Sequence, residues 1–161
     1  MIPKRIQPYF EIISQTKDGE HSLVEGILTC CNGHDFEILI AGKIENSICS
    51  KMYLLPQNNI LALEARCKKC GKVISVFDSR CDGYDHCEEE KPAYIRTTHT
   101  ECKKCLHGSF SIGIKYEYPD IHELEELEIA AIDNAFTWIW ISVACNRCGS
   151  KYKNFVDYDT T

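Results

Sequence analysis

The chain has 161 residues, a formal net charge of −6, 44% hydrophobic and 26% charged residues, a composition that excludes a disordered or low-complexity chain. No apolar run is long enough to cross a bilayer, and the opening Met1-Ile2-Pro3-Lys4-Arg5 lacks an apolar signal core, so a cytoplasmic protein without membrane contact is expected. Six of the eleven cysteines fall in C-x-x-C pairs, a spacing that reads as metal binding, because a disulfide framework needs an export signal and usually an even count.

Along the chain, Tyr9, Phe10, Ile12 and Ile13 suggest a first strand, and Lys17-Asp18-Gly19-Glu20 a turn. Residues 22–29 alternate as a strand leading into Cys31-Asn32-Gly33-His34. After that turn Phe36, Ile38 and Ile40 share one face of a second strand. A turn-rich connection leads to a strand over 60–66, which enters Cys67-Lys68-Lys69-Cys70-Gly71, and residues 72–78 leave as another strand.

The second half repeats this order. Residues 93–100 enter Cys102-Lys103-Lys104-Cys105, and Phe110, Ile112 and Ile114 alternate after it. Residues 137–143 enter Cys145-Asn146-Arg147-Cys148-Gly149, and 151–158 leave it. Between them Pro119-Asp120-Ile121-His122-Glu123 carries a cap residue with a glutamate three further on, which predicts a short helix with Glu125, Glu126 and Glu128 on its solvated face. The expected organisation is two tandem units, residues 1–88 and 89–161, each a mainly β, small antiparallel sheet with two metal-binding turns.

Two residues between thiols let both sulfurs face into one turn, and a glycine after the second permits a positive φ. Each such turn supplies half of a tetrahedral site, so four turns imply two metal ions. Cys102, Cys105, Cys145 and Cys148 form the cleaner set, four thiolates of the kind that close a structural zinc; iron would accept the same ligands. The other set reads as Cys31, His34, Cys67 and Cys70, with the spacing of the first turn preserved. Cys30 with His34 stays open if that turn is one residue wider, as does loss of a ligand at Asn32. His107 is read as a loop residue outside the shell. The leftover thiols are Cys30, Cys49, Cys81 and Cys87; Cys81 and Cys87 could face each other across the Asp82-Gly83 turn as a redox pair or accessory metal site.

On the C-x-x-C-G turns at Cys67 and Cys145, the C-x-x-C at Cys102 and their flanking strands, residues 22–158 resemble the zinc-ribbon superfamily with its rubredoxin-like knuckles. His34 departs from that pattern, which elsewhere has cysteine. The resemblance implies two Zn²⁺ ions and a non-catalytic role of the sort such ribbons fill in transcription, translation and protein-assembly factors.

The residues themselves point the same way. No H-E-x-x-H or suitably placed base accompanies the cysteines, and closed thiolate shells leave zinc no position for an activating water, so no catalytic residue is expected. Nine of the eighteen basic residues sit beside the cysteine turns. With two Zn²⁺ and seven thiolates the chain would carry about −9, an acidic body with basic tips. The acidic total favours a protein partner, with Trp138, Trp140, Tyr116 and Tyr118 as contact candidates. The alternative is nucleic acid held through Lys68, Lys69, Lys103, Lys104 and Arg147, and the second alternative is a thiol redox protein using the spare cysteines.

Overall fold

A computed structural model describes residues 1–47 and 51–161; Cys49, read above as a spare thiol, lies outside the described residues. The first strands are β1 (Phe10–Asp18), β2 (His21–Leu28) and β3 (Phe36–Ala41). A small hairpin, β4 (Lys43–Asn46) and β5 (Met52–Leu55), precedes β6 (Ala62–Cys67) and β7 (Val73–Asp78). The second half holds β8 (Thr98–Thr100), β9 (Phe110–Tyr118), α1 (Ile121–Glu126), β10 (Trp138–Cys145) and β11 (Lys151–Asp159). Strands therefore form where alternation predicted them, except that the 93–100 segment is extended only at Thr98–Thr100. No helix of the described residues is long and apolar enough to cross a membrane.

The arrangement corrects the expectation of two small ribbons. Nine strands join one antiparallel sheet, and only β4 and β5 form a separate pair. Two three-stranded meanders are visible, β3-β6-β7 and β9-β10-β11, and they match position for position. Phe36 pairs with Cys67 and Phe110 with Cys145, and a register shift falls at the equivalent place in each, at Leu63/Glu64 and at Ile141/Val143. The meanders meet edge to edge where Phe36 pairs with Phe110.

What turns two repeats into one sheet is an exchange of the strands that lead into the first turn of each half. β2 precedes the first cysteine turn yet pairs with β9 of the other half, Ser22 opposite Tyr118 through Ile27 opposite Gly113. Reciprocally, β8 precedes the third turn yet pairs with β3, Thr100 opposite Ile38. Antiparallel strands paired across the repeat cannot be separated without exposing both ladders.

The exchange also solves a burial problem. A ribbon of a few short strands has too little apolar surface to fold alone. β9 alternates without a break, with Phe110, Ile112, Ile114, Tyr116 and Tyr118 buried. β10 presents Ile139, Ile141 and Val143 on the same side. These pack with Phe36, Ile38, Leu63 and Phe77 of the first half in one hydrophobic cluster. Full burial of such side chains contributes roughly 1.5–3 kcal/mol each, gain that two separate thin ribbons could not collect. The helix expected after Pro119 is present, its Asp120 side chain accepting from the His122 amide at 2.9 Å. Only Leu124 of that helix is buried, and Glu125, Glu126 and Glu128 are exposed.

The N-terminal segment is locked by a polar clasp to β7 and the loop after it in the first half and to Asn134 in the second. Arg5 donates through Nε to the Ser75 carbonyl at 3.0 Å, and through its guanidinium to the Val76 carbonyl, Asn134 Oδ1 and the Asp82 carboxylate. The Asp82 side chain is 1% exposed and also accepts the Asp78 amide at 2.7 Å. Burial pushes its carboxyl up, and the guanidinium opposes that shift. Removing one partner of such a pair leaves a buried group unsatisfied. Arg5→Ala is therefore expected to destabilise the fold by about 2–3 kcal/mol, with Arg5→Lys recovering only part because one ammonium cannot reach all four acceptors. Urea unfolding at neutral pH measures this, and a loss below about 0.5 kcal/mol would show that the clasp is decorative.

Candidate metal centres

Three of the four cysteine turns share one backbone design. In each, the amide of the first cysteine donates to the carbonyl five residues on: Cys67 to Lys72, Cys102 to His107 and Cys145 to Ser150, all at 2.8 Å. The amide of the residue after the second cysteine donates back to the first cysteine's carbonyl, from Gly71, Leu106 and Gly149 at 2.8–3.0 Å. That residue must take a positive φ, and Gly71 (77°) and Gly149 (74°) do so without strain. Leu106 adopts 59° in the turn that lacks the glycine, a conformation disfavoured for a residue with a side chain.

The first turn is built differently. Cys30 and Gly33 exchange amide-to-carbonyl bonds at 3.0 Å, and Cys31 and Asn32 both hold positive φ, 53° and 56°. This is the geometry of a two-residue type I′ hairpin whose central residues are Cys31 and Asn32, with Asn32 a residue that tolerates the left-handed conformation and Gly33 closing the turn. It puts Cys30 at the strand end, with Cys31 beside it in the turn.

Side chains from these turns gather into two groups of four sulfurs that could hold a metal ion: Cys30, Cys31, Cys67 and Cys70, and Cys102, Cys105, Cys145 and Cys148. In the first, Cys30 Sγ lies 3.8 Å from Cys31 Sγ and 3.7 Å from Cys70 Sγ. In the second, Cys102 to Cys148 is 3.6 Å and Cys105 to Cys145 is 3.5 Å. A tetrahedron with metal–sulfur bonds of about 2.3 Å has edges of about 3.8 Å, whereas a disulfide brings sulfurs to about 2.05 Å. The spacing fits a shared cation and not a bridge.

Seven of the eight residues expected as ligands fall in these groups, and the eighth does not. His34 turns away, its Nδ1 3.1 Å from the Leu28 carbonyl, and Cys30 occupies the fourth position. A Cys₃His set is thus replaced by four sulfurs. An Asn-Gly dipeptide at the centre of a hairpin would bridge Cys31 to His34, whereas the bridge spans Cys30 and Gly33 about Cys31-Asn32, so the motif did not single out Cys30. His107 also stands outside, its carbonyl engaged by Cys102. Cys81 and Cys87 are free and belong to neither group. Burial raises the Cys81 thiol to about 11 and raises Cys87 as well, the reverse of what a reactive redox thiol needs.

The electrostatics of each group call for a cation. The backbone N–H of Lys72 brings Cys70 down to about 7, and the hydroxyl and N–H of Ser150 bring Cys148 down to about 6. Once these ionise, their neighbours resist: burial and the adjacent sulfurs lift Cys30 to about 12. Cys105 rises to about 11, burial and its three sulfur neighbours outweighing a bond from the His107 amide. Four thiolates in contact repel one another, and a divalent ion at the centre removes the conflict. Two supporting groups were not legible in the sequence. Tyr152 Oη lies 3.2 Å from Cys102 Sγ while accepting the Lys103 amide, and Ser150 Oγ lies 3.1 Å from Cys148 Sγ.

The two centres abut. Asp35 and Ser109 occupy equivalent places, each just before the paired phenylalanines, and Ser109 donates to the Asp35 carboxylate at 3.3 Å. The Lys68 amide donates to the Asp35 carbonyl and the Asn146 amide to the Ser109 carbonyl, at 3.0 and 2.9 Å. Asn146 Nδ2 also reaches Asp35 and the His34 carbonyl. Comparison with family models, with curated proteins and with solved structures yields no match for this chain.

Ligand identity is separable by substitution. His34→Ala is expected to leave two tightly held metal ions per chain, whereas Cys30→Ser should lower the content toward one or leave the second ion easily stripped by chelator. Elemental analysis of the purified variants decides it, and the opposite pattern would restore His34 as the ligand.

Proposed function

We propose that this chain is a non-catalytic zinc protein, with two structural Zn²⁺ ions pinning one end of its sheet and the sheet serving to bind another macromolecule. The observation that carries the reading is the pair of all-sulfur groups with tetrahedral spacing. Four protein sulfurs complete zinc's preferred shell and leave no open coordination position. Zinc is preferred to iron as the common occupant of such structural sites; iron at the same ligands would announce itself by colour and redox activity.

For the partner, the sequence pointed first to protein because the chain is acidic overall. The abutting centres shift the preference. Had the halves been separate ribbons, their cations would have formed two small patches. Instead Lys68 and Asn146-Arg147 flank the same Asp35–Ser109 junction, and Lys68, Lys69, Lys103, Lys104 and Arg147 are all exposed. One basic pole on an acidic body suits a polyanion, with nucleic acid ahead of acidic protein. An excess of thiolate charge over zinc charge remains nearby, so contact would depend strongly on salt.

The test combines metal content with charge reversal. The metal-loaded protein is expected to hold two zinc ions per chain. Reversal of Lys68, Lys69, Lys103 and Lys104 to glutamate should abolish salt-sensitive retention on nucleic acid while sparing zinc content and thermal stability. Undiminished retention in that variant would remove the pole from the reading, and isolation without metal would remove the zinc.

A further inference from the structure

The sheet face opposite the core carries a groove that the metal centres do not explain. Along β9 and β10 the outward positions are Ser111, Gly113 and Lys115 beside Ala144, Ser142 and Trp140, paired in that order. Two hollows of about 480 and 270 Å³ lie on this face and share Gly113, Ser142 and Lys153. Together they make one trough that starts at Trp140 and runs toward Ala144, next to the Cys145 turn. Five residues of strand correspond to roughly 13 Å.

Gly113 is the informative residue. Glycine in the middle of a central strand weakens it and calls for a reason. Its neighbour Gly26 has one: a side chain there would meet the Glu11 carbonyl and the Phe10 ring well inside contact distance. Gly113 has none within the fold, since a Cβ would meet nothing nearer than two carbonyl oxygens at 3.9 Å. What the missing side chain does provide is an open floor.

The walls specify what could lie on that floor. Trp138 stacks on Trp140 with centroids 5.6 Å apart and planes 15° apart, its Nε1 fixed by Asp157 at 2.7 Å. Trp140 lines the trough, so this short column of rings ends at its mouth. Lys115 Nζ lies 5.0 Å over the Trp140 ring, a hold weak enough at an exposed site to be exchanged for a phosphate. Lys151 and Lys153 border the far half. Among the described residues none of these three lysines makes an ion pair. The single carboxylate in the lining, Glu25, stands opposite Lys115, where an exocyclic amino group could donate to it.

We infer that this trough binds single-stranded nucleic acid, an unpaired base continuing the Trp138–Trp140 column over Gly113 and the adjoining phosphates meeting Lys115, Lys153 and Lys151. An acidic peptide would use the lysines but has no need of the ring or the open floor. A duplex keeps its bases stacked on each other and out of reach of Trp140. The trough also leads to the basic pole, so a strand leaving it would pass Arg147. The inference deepens the polyanion reading above and rests on it.

Fluorescence anisotropy with labelled single strands of about ten nucleotides, the matching duplex and poly-glutamate tests it on the zinc-loaded chain. Single strands should bind more tightly than duplex or poly-glutamate and quench the tryptophan emission. Gly113→Thr puts a strand-favouring side chain on the floor, so zinc content and melting should hold while binding falls about ten-fold or more. Trp140→Ala should cost a similar factor, with Trp140→Phe keeping much of the affinity. Lys153→Glu should flatten the dependence of log K on log salt by about 0.7 or more. Unchanged single-strand affinity in Gly113→Thr and Trp140→Ala, with loss on reversal of the pole lysines, would overturn the trough and leave the polyanion reading standing. Equal binding of duplex and single strand, or preference for poly-glutamate, would also overturn it. Failure of the wild type to bind any of the three probes would overturn both.

Discussion

Four thiols packed within 4.8 Å of one another resist being charged together, and a cysteine sulfur left neutral is a poor metal ligand. The structure eases the conflict in advance at Cys70 in one group and at Cys148, together with Cys102, in the other. Cys70 and Cys148 are the second cysteines of turns closed by glycine, and there the N–H two residues on points at the sulfur. The positive φ of Gly71 and Gly149 brings that amide round. Leu106, at positive φ, brings the His107 amide to Cys105 in the same way, so the conformation is what matters and glycine reaches it without strain. The amide favours one thiolate, and a cation drawn to it would let the others ionise in turn.

Fixing the four turns fixes the ends of eight strands, and from there the exchange of β2 and β8 follows. The pair Phe36–Phe110 lies immediately inside the two centres. Asp35 and Ser109, one residue earlier, tie the turns of opposite halves together. With the meanders joined at that point, each leaves one edge open beyond it, along β9 on one side and β3 on the other. The strand leading into the opposite half's first turn is the element already delivered to each edge. Closing the edges in this way protects both ladders and places the buried faces of both repeats over one core.

The repeat, nearly every strand, the helix cap at Asp120 and the seven metal-group cysteines other than Cys30 could be read from local pattern, because alternation, capping and C-x-x-C spacing are all short-range signals. The sheet could not. Whether Ser22–Ile27 pairs with its own half or with Gly113–Tyr118 depends on which edge is free after folding, and the alternating faces of β2 satisfy either partner. Cys30 was passed over for a different reason. Matching the first turn to the C-x-x-C template put His34 in the ligand position, while the hairpin centred on Cys31-Asn32 makes Cys30 and Gly33 the bridged pair, and His34 Nδ1 lies at the Leu28 carbonyl. The backbone turn, and not the ligand spacing, decides which side chains gather. Tyr152 and Ser150 carry no motif of their own, since each reaches a sulfur only through the return of β11 beside β10.

The duplicated centres are therefore not equivalent, and the difference follows from where each is seated. In the second group Cys102 and Cys145 are buried and belong to the main hydrophobic cluster, with Cys105 packed against it. Its strands are the long, unbroken β9 and β10, and Tyr152 binds it from the core side. In the first group Cys31 and Cys70 are exposed, and only Cys67 is buried in that cluster, with Cys30 packed against it. Its strands β3, β6 and β7 are six residues each, and no tyrosine supports it, since the position equivalent to Tyr152 is Ile74. A cation held by the second group would fasten two core cysteines, Cys102 and Cys145, whereas one held by the first would fasten a single core cysteine, Cys67, to a hairpin at the rim. The second group is thus seated deeper, and the first lies on the chain that joins β2 to β3.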